Sequence, residues 1–221
     1  NACKQLQESR HIERALCLEL AVAGYEVVLE VYTREAYPAD WAMTQMNLGT
    51  AYYDRIRGEK AANLEAAIEH SEAALEVYTR EAYPEEWAMT QNNLAAAYRN
   101  RIRGEKAANV EAAIQHCEAA LEVYTREAYP EKWATTQMNL ATAYSDRIRG
   151  EKAANVEAAI ERYEAALEVC TRAAYPEEWA MTQMNLATAY RNRIRGEKAA
   201  NVEAAIERYE AALEVYTRAA Y

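Results

Sequence analysis

One stretch of this chain is written four times. Trp41, Trp87, Trp133 and Trp179 recur every 46 residues, and Pro38, Pro84, Pro130 and Pro176 keep the same step. Around each pair the text runs much as in Tyr83-Pro84-Glu85-Glu86-Trp87-Ala88-Met89-Thr90-Gln91. A fixed period in the range of roughly 20–50 residues marks stacked supersecondary units, each too small to bury its apolar face without a neighbour. The 221 residues therefore divide into a leader, 1–37, and repeats 38–83, 84–129, 130–175 and 176–221, expected to form one continuous array.

Composition narrows the function classes. Apolar residues make up 51%, enough for an unbroken core. A formal charge of −10 argues against phosphate-backbone contact, which needs clustered Lys and Arg, so no nucleic-acid partner is expected. No stretch approaches the roughly 18–20 apolar residues of a spanning helix, so no membrane is expected either. Phe is missing while 17 Tyr supply ring mass, and a buried tyrosine hydroxyl asks for a partner; these rings belong at helix seams. Opening at Asn1 and stopping at the end of a repeat, the chain reads as part of something longer.

Four cysteines occupy unrelated slots: Cys117 stands where other repeats have Ser71 and Tyr163, and Cys170 where they have Tyr78, Tyr124 and Tyr216. A disulfide or metal framework reuses its slots, so reduced thiols in an intracellular, cytoplasmic protein are expected. Cys3, His11 and Cys17 could share a metal in principle, but their spacing carries no ligand motif. No cofactor and no metal are expected.

Within residues 84–129, Pro84 at a first helical position with Glu85 and Glu86 behind it starts a helix, A. Trp87, Thr90, Leu94, Ala97, Tyr98 and Ile102 follow the 3.6-residue period, and Gly104 beyond Arg101 and Arg103 reads as the stop. Asn109 is placed to cap a second helix, B. There Val110, Ala113, Ile114, Cys117, Ala120, Leu121, Tyr124 and Ala128 make one apolar stripe, and Glu122 with Arg126 has i,i+4 spacing. Each repeat is thus an antiparallel A/B hairpin, and the fold class is all-α. The leader from about Ser9 to Ala36 reads as one long B-like helix, since Tyr25, Leu29 and Tyr32 fall in the slots of Ser71, Leu75 and Tyr78.

Asn47-Leu48-Gly49-Thr50-Ala51-Tyr52-Tyr53, Ala67-Ile68 with Ala74-Leu75, and Pro84 after them resemble the tetratricopeptide repeat family, over about residues 38–221. Two features depart from it: the usual unit is about 34 residues long, and the family's tryptophan sits a turn later than Trp41. Longer units carrying Asn92-Asn93-Leu94-Ala95 resemble those of kinesin light chain and of bacterial signalling proteins. The resemblance implies a right-handed α-solenoid of antiparallel hairpins, a tetratricopeptide-like superhelix. It implies A helices lining a concave face that holds a protein or peptide segment.

On that face the asparagine ladder Asn47, Asn93, Asn139 and Asn185 is the sharpest candidate, because an amide both donates to and accepts from an extended backbone. The resemblance implies this role for it. Arg57, Arg103, Arg149 and Arg195, joined by Arg99 and Arg191, would make a basic row suited to an acidic segment, unless helix B glutamates neutralise it. The slot of Tyr53 varies to Arg99, Ser145 and Arg191; that of Met46 runs Asn92, Met138 and Met184, adaptable surface or packing between A helices. The tryptophans read as core. His11, His70 and His116 have no matched nucleophile and no Gly-rich phosphate loop occurs, so no enzyme is expected. Two other readings stand beside the scaffold. One is end-to-end assembly through Ile206, Tyr209, Leu213 and Tyr216 of the last B helix, which no A helix follows in this chain. The other is a consensus-like engineered repeat with no natural ligand.

Overall fold

The computed structural model describes residues 2–219, with side chains described over 12–217. The side chains of Cys3, His11 and Tyr221 lie outside that range. Among the described residues there are nine helices and no strand. A leader helix α1 (Ala2–Leu29) is followed by alternating A and B helices. The A helices are α2 (Pro38–Asp54), α4 (Pro84–Asn100), α6 (Pro130–Asp146) and α8 (Pro176–Asn192). The B helices are α3 (Lys60–Leu75), α5 (Lys106–Leu121), α7 (Lys152–Leu167) and α9 (Lys198–Ala219). The architecture is an all-α helical-repeat array in which helices pack on their chain neighbours. It divides into two compact units, Asn1–Lys106 and Ala107–Tyr221, described separately below. No helix among the described residues is long and apolar enough to cross a membrane.

Every A helix opens on its proline. The residue before it (Tyr37, Tyr83, Tyr129 or Tyr175) sits at φ between −137 and −139. With ψ of 64–69 the residue stays out of the helical region, which the following proline disfavours, without reaching the fully extended one. Acidic residues in the first turn, such as Glu85 and Glu86, meet the positive end of the helix dipole. The A helices stop well before the glycine, and Ile102, expected on the apolar stripe, lies beyond the helix end and 60% exposed. Gly104 and its counterparts instead turn the link, with φ of 80 at Gly104 and 84 at Gly58, a region that side chains resist.

Asn109 does not cap helix B, because the B helices start three residues earlier. Its counterparts Asn63, Asn155 and Asn201 are buried inside the helix. Their amides donate to the carbonyls of Arg57 at 2.8 Å, Arg149 at 2.8 Å and Arg195 at 2.9 Å. A buried amide thus fastens the link to the helix that follows it.

The B helices also end earlier than the apolar stripe suggests. α3, α5 and α7 stop at Leu75, Leu121 and Leu167, and α1 stops at the matching Leu29 rather than at Ala36. Beyond Leu121 the chain turns, with the Thr125 hydroxyl accepting the Ala128 amide at 3.2 Å. Tyr124 leaves the helix yet stays 1% exposed, its ring 5.5 Å from that of Tyr129. Arg126 pairs with Glu168 at 2.5 Å. Arg172 repeats this with Glu214 at 3.0 Å, and Arg34 pairs with Glu76.

Leucines and alanines of the A and B helices meet in the core. In the first unit Ala67, Ile68, Leu94 and Ala97 pack together, with Tyr52 and Tyr98 at the margin. In the second, Ala141, Val156, Ile160, Tyr163 and Leu186 do so. Trp41, Trp133 and Trp179 rest half-buried against this interior, with Arg34, Arg126 and Arg172 over their rings at 5.8, 5.6 and 5.5 Å.

Candidate functional site

The polar side chains that the A helices carry sort into a seam and a surface. The seam is built by the first arginine of each Arg-Ile-Arg-Gly link. Arg101, just past the end of α4, reaches Glu65 on α3 through Nε at 2.8 Å and an outer nitrogen at 2.6 Å, a two-pronged pair. Its guanidinium lies 5.5 Å from the centre of the Tyr98 ring, and the Tyr98 hydroxyl donates to Glu72 at 2.7 Å. The same cluster recurs as Arg55 with Glu19, Arg147 with Glu111 and Arg193 with Glu157. Each joins a B-type helix to the A helix after it, α1 included. Glu65, Glu111 and Glu157 are held below the ordinary carboxylate value of 4.5, first by hydrogen bonds from these arginines and against the opposing effect of burial. That stabilisation is present above the ordinary value and is lost as pH falls through the depressed one. At this partial exposure each pair contributes roughly 1 kcal/mol.

The helix B glutamates therefore do neutralise an arginine row, but it is the row at 55, 101, 147 and 193. Arg57, Arg103, Arg149 and Arg195, two residues on, are exposed. They lie close enough to lower the proton affinity of the same glutamates, Arg57 acting on Glu19 and Arg149 on Glu111. Of the cations in the last turn of the A helices, Arg99 is half-buried and Arg191 exposed.

Asn47, Asn93, Asn139 and Asn185 all come out half-exposed on successive A helices. Asn93 bridges two of them, its amide donating to Thr50 Oγ1 at 3.1 Å. Tyr53 is half-buried and its hydroxyl accepts from the Asn100 amide at 2.7 Å; Ser145, in the same slot, is exposed. The methionine row is split. Met46 and Met138 are core residues, 6% and 8% exposed, packed with Ala42, Ala74 and Tyr78 in one unit and with Ala134 and Ala166 in the other. They share the helix stripe of Ala42 and Ala134, four residues earlier, which faces inward. Asn92 is half-buried, and Met184 is 42% exposed, so only the latter remains apolar surface.

In the first unit the structure brings Thr50, Tyr53 and Asn93 around one pocket; in the second, Ser145 lines another of about 220 Å³ with Thr188 and Asn192. His70 is spent internally: its ring stacks on Tyr52 and its Nδ1 is 2.7 Å from Gln45 Oε1, while burial lowers its proton affinity. Among the described residues no group of three His, Cys, Asp or Glu could hold a metal ion. Two things escape sequence reasoning. The seam pairs lie 36 residues apart in sequence. The first-unit pocket was signalled only by a small side chain, Ser71, in a slot that holds Tyr163 in another repeat.

Residues 133–173, spanning most of the third repeat, match the family model described as tetratricopeptide repeat. No curated protein matches the chain.

Proposed function

Because this chain is built of tetratricopeptide-type repeats, we propose that it is a non-catalytic scaffold whose A helices present a surface to a protein or peptide segment. Repeats of this family generally mediate protein–protein interaction. The observation that carries the proposal is the half-exposed asparagine ladder, Asn47, Asn93, Asn139 and Asn185, recurring in register on α2, α4, α6 and α8. Its amides can hydrogen-bond an extended backbone whatever the side chains of that backbone. Beyond the ends of the A helices Arg57, Arg103, Arg149 and Arg195 are exposed, while the glutamates of the seam hold the other arginine row. In a chain of net charge −10, the exposed row favours an acidic guest. Free thiols at Cys17 and Cys170 fit a cytoplasmic setting.

The test is an array of extended peptides, acidic and neutral, probed with the whole chain at low and moderate salt. Acidic peptides should bind best, more weakly as salt rises, and Asn93→Ala with Asn139→Ala should weaken capture by about tenfold or more at unchanged circular dichroism. Full capture by that double variant would refute the reading.

A second reading, end-to-end association of copies, is favoured by one observation. α9 exposes Val202 at 41%, Ile206 at 50%, Leu213 at 60% and Tyr216 at 40%, and α1 exposes Ile12, Leu16 and Leu20 to a similar degree. Such apolar area on a soluble surface marks a contact. Light scattering should then show mass growing with concentration, and Ile206→Glu with Leu213→Glu should suppress it; a monomer at high concentration removes this reading.

A further inference from the structure

In the first unit a pocket of about 210 Å³ opens between α2, α3 and α4. Gly49, Thr50, Tyr53, Ala67, Ser71 and Asn93 line it. In the second unit a ring stands in the slot of Ser71. Tyr163 is 2% exposed, packs with Ile160 and Leu186, and places its hydroxyl 2.9 Å from Thr142 Oγ1. Thr142 donates its own hydrogen to the Met138 carbonyl at 2.8 Å, so the phenol is the donor and the threonine oxygen the acceptor. Tyr209 stands in the same relation to Thr188, at 2.8 Å.

The first unit keeps this receptor and lacks the ring. Thr50 donates to the Met46 carbonyl at 3.1 Å, as Thr142 does to Met138, and its oxygen accepts the Asn93 amide at 3.1 Å. A hydroxyl oxygen has two lone pairs, so a phenol can join that amide or replace it. The glycine shapes the wall: a Cβ at Gly49 would come within 2.7 Å of Ser71 Oγ and 3.0 Å of the Ala67 carbonyl. Thr50 is exposed and Tyr53 and Asn93 are half-exposed, so the mouth opens on the A-helix surface. The volume suffices, since a dry cavity of about 150 Å³ holds benzene.

We infer that this pocket binds a phenolic side chain, the tyrosine of a segment lying along the A helices, so that the guest supplies the ring which the second unit carries as its own Tyr163. The inference rests on the peptide reading above and adds a residue type to it.

The test uses the full chain with p-cresol, toluene, and peptides differing only in Tyr, Phe or Ala at one position. In NMR titrations p-cresol should give saturable shifts at the Thr50, Ser71 and Asn93 amides and bind about tenfold more tightly than toluene, the effect of one hydrogen bond. Ser71→Tyr should remove binding. Thr50→Val, an exposed and nearly isosteric change, should make the two probes equal, and it decides the matter if Ser71→Tyr does not fold. No saturable shift at those amides, or an unchanged preference in Thr50→Val, overturns the pocket. Cresol binding without preference for the Tyr peptide overturns the peptide tyrosine in favour of a free phenol. Peptide capture that persists without cresol binding sinks the pocket alone; cresol binding without any peptide capture sinks the scaffold reading and the peptide tyrosine with it.

Discussion

Tyr163→Ala is expected to destabilise the second unit by about 3–5 kcal/mol, the range for deleting a fully buried ring. The ring is 2% exposed and touches the interior shared by α6, α7 and α8. Its removal also takes the donor from Thr142 Oγ1. The counterpart change Ser71→Ala, in the first unit, removes one hydroxyl at the edge of an existing pocket and should cost less than about 1 kcal/mol. Urea titrations followed by circular dichroism measure both. Equal losses would mean that Tyr163 is not what fills that seam, and would remove the internal precedent for a phenol in the first unit.

Alkaline pH should loosen the first unit well before the ordinary limits of a helical protein. Burial pushes the Tyr78 phenol up to about 12 from an ordinary value of 10.0; the ring is 4% exposed and its hydroxyl donates to the Ala39 carbonyl at 3.3 Å. Tyr98 is raised to about 12 as well, by burial and then by its hydrogen bond to Glu72. A raised value means that the folded state holds the proton more tightly. The resulting stability is complete below pH 10 and drains away as pH rises toward 12. For Tyr78 this amounts to about 2 kcal/mol between pH 9 and 11.5; the half-exposed Tyr98 adds less because solvent screens it. Urea midpoints across that range should fall steeply, and Tyr78→Phe should flatten the fall. An unchanged slope in Tyr78→Phe would show that the buried phenol is not its source.

Much of the fold was readable because the signals were local. A proline at a first helical position with acids behind it starts a helix wherever it occurs, and it does so at Pro38, Pro84, Pro130 and Pro176. The buried faces at Leu48, Leu94, Leu140 and Leu186 follow from a 3.6-residue period that needs no knowledge of the partner helix. The candidate surface was harder. The two arginines of each link differ by two positions and look alike in sequence, yet Arg101 is consumed by Glu65 while Arg103 stays exposed. Which arginine takes Glu65 in a two-pronged pair depends on where α3 brings that glutamate. For Met46 the sequence left adaptable surface and packing between A helices equally open, and the residue lies in the core, because a helix stripe facing inward is named only by what packs on it.

The ends of the B helices show the division most plainly. Leu213-Glu214-Val215-Tyr216-Thr217 stays helical in α9, with the Thr217 hydroxyl bonded back to the Leu213 carbonyl at 2.9 Å. The identical pentapeptide Leu75-Glu76-Val77-Tyr78-Thr79 leaves the helix after Leu75, and there the Thr79 hydroxyl caps the turn by accepting the Ala82 amide at 3.2 Å. By itself this pentapeptide is compatible with either state. The repeat period, the helix starts and the apolar stripes belong to the amino-acid sequence, since each depends on residues within a turn or two of one another. Where the B helices break, which arginine is held and whether a ring or a pocket fills the Ser71 slot were decided by tertiary packing. Each of those outcomes turns on a residue tens of positions away, which enters the energy only once the helices are side by side.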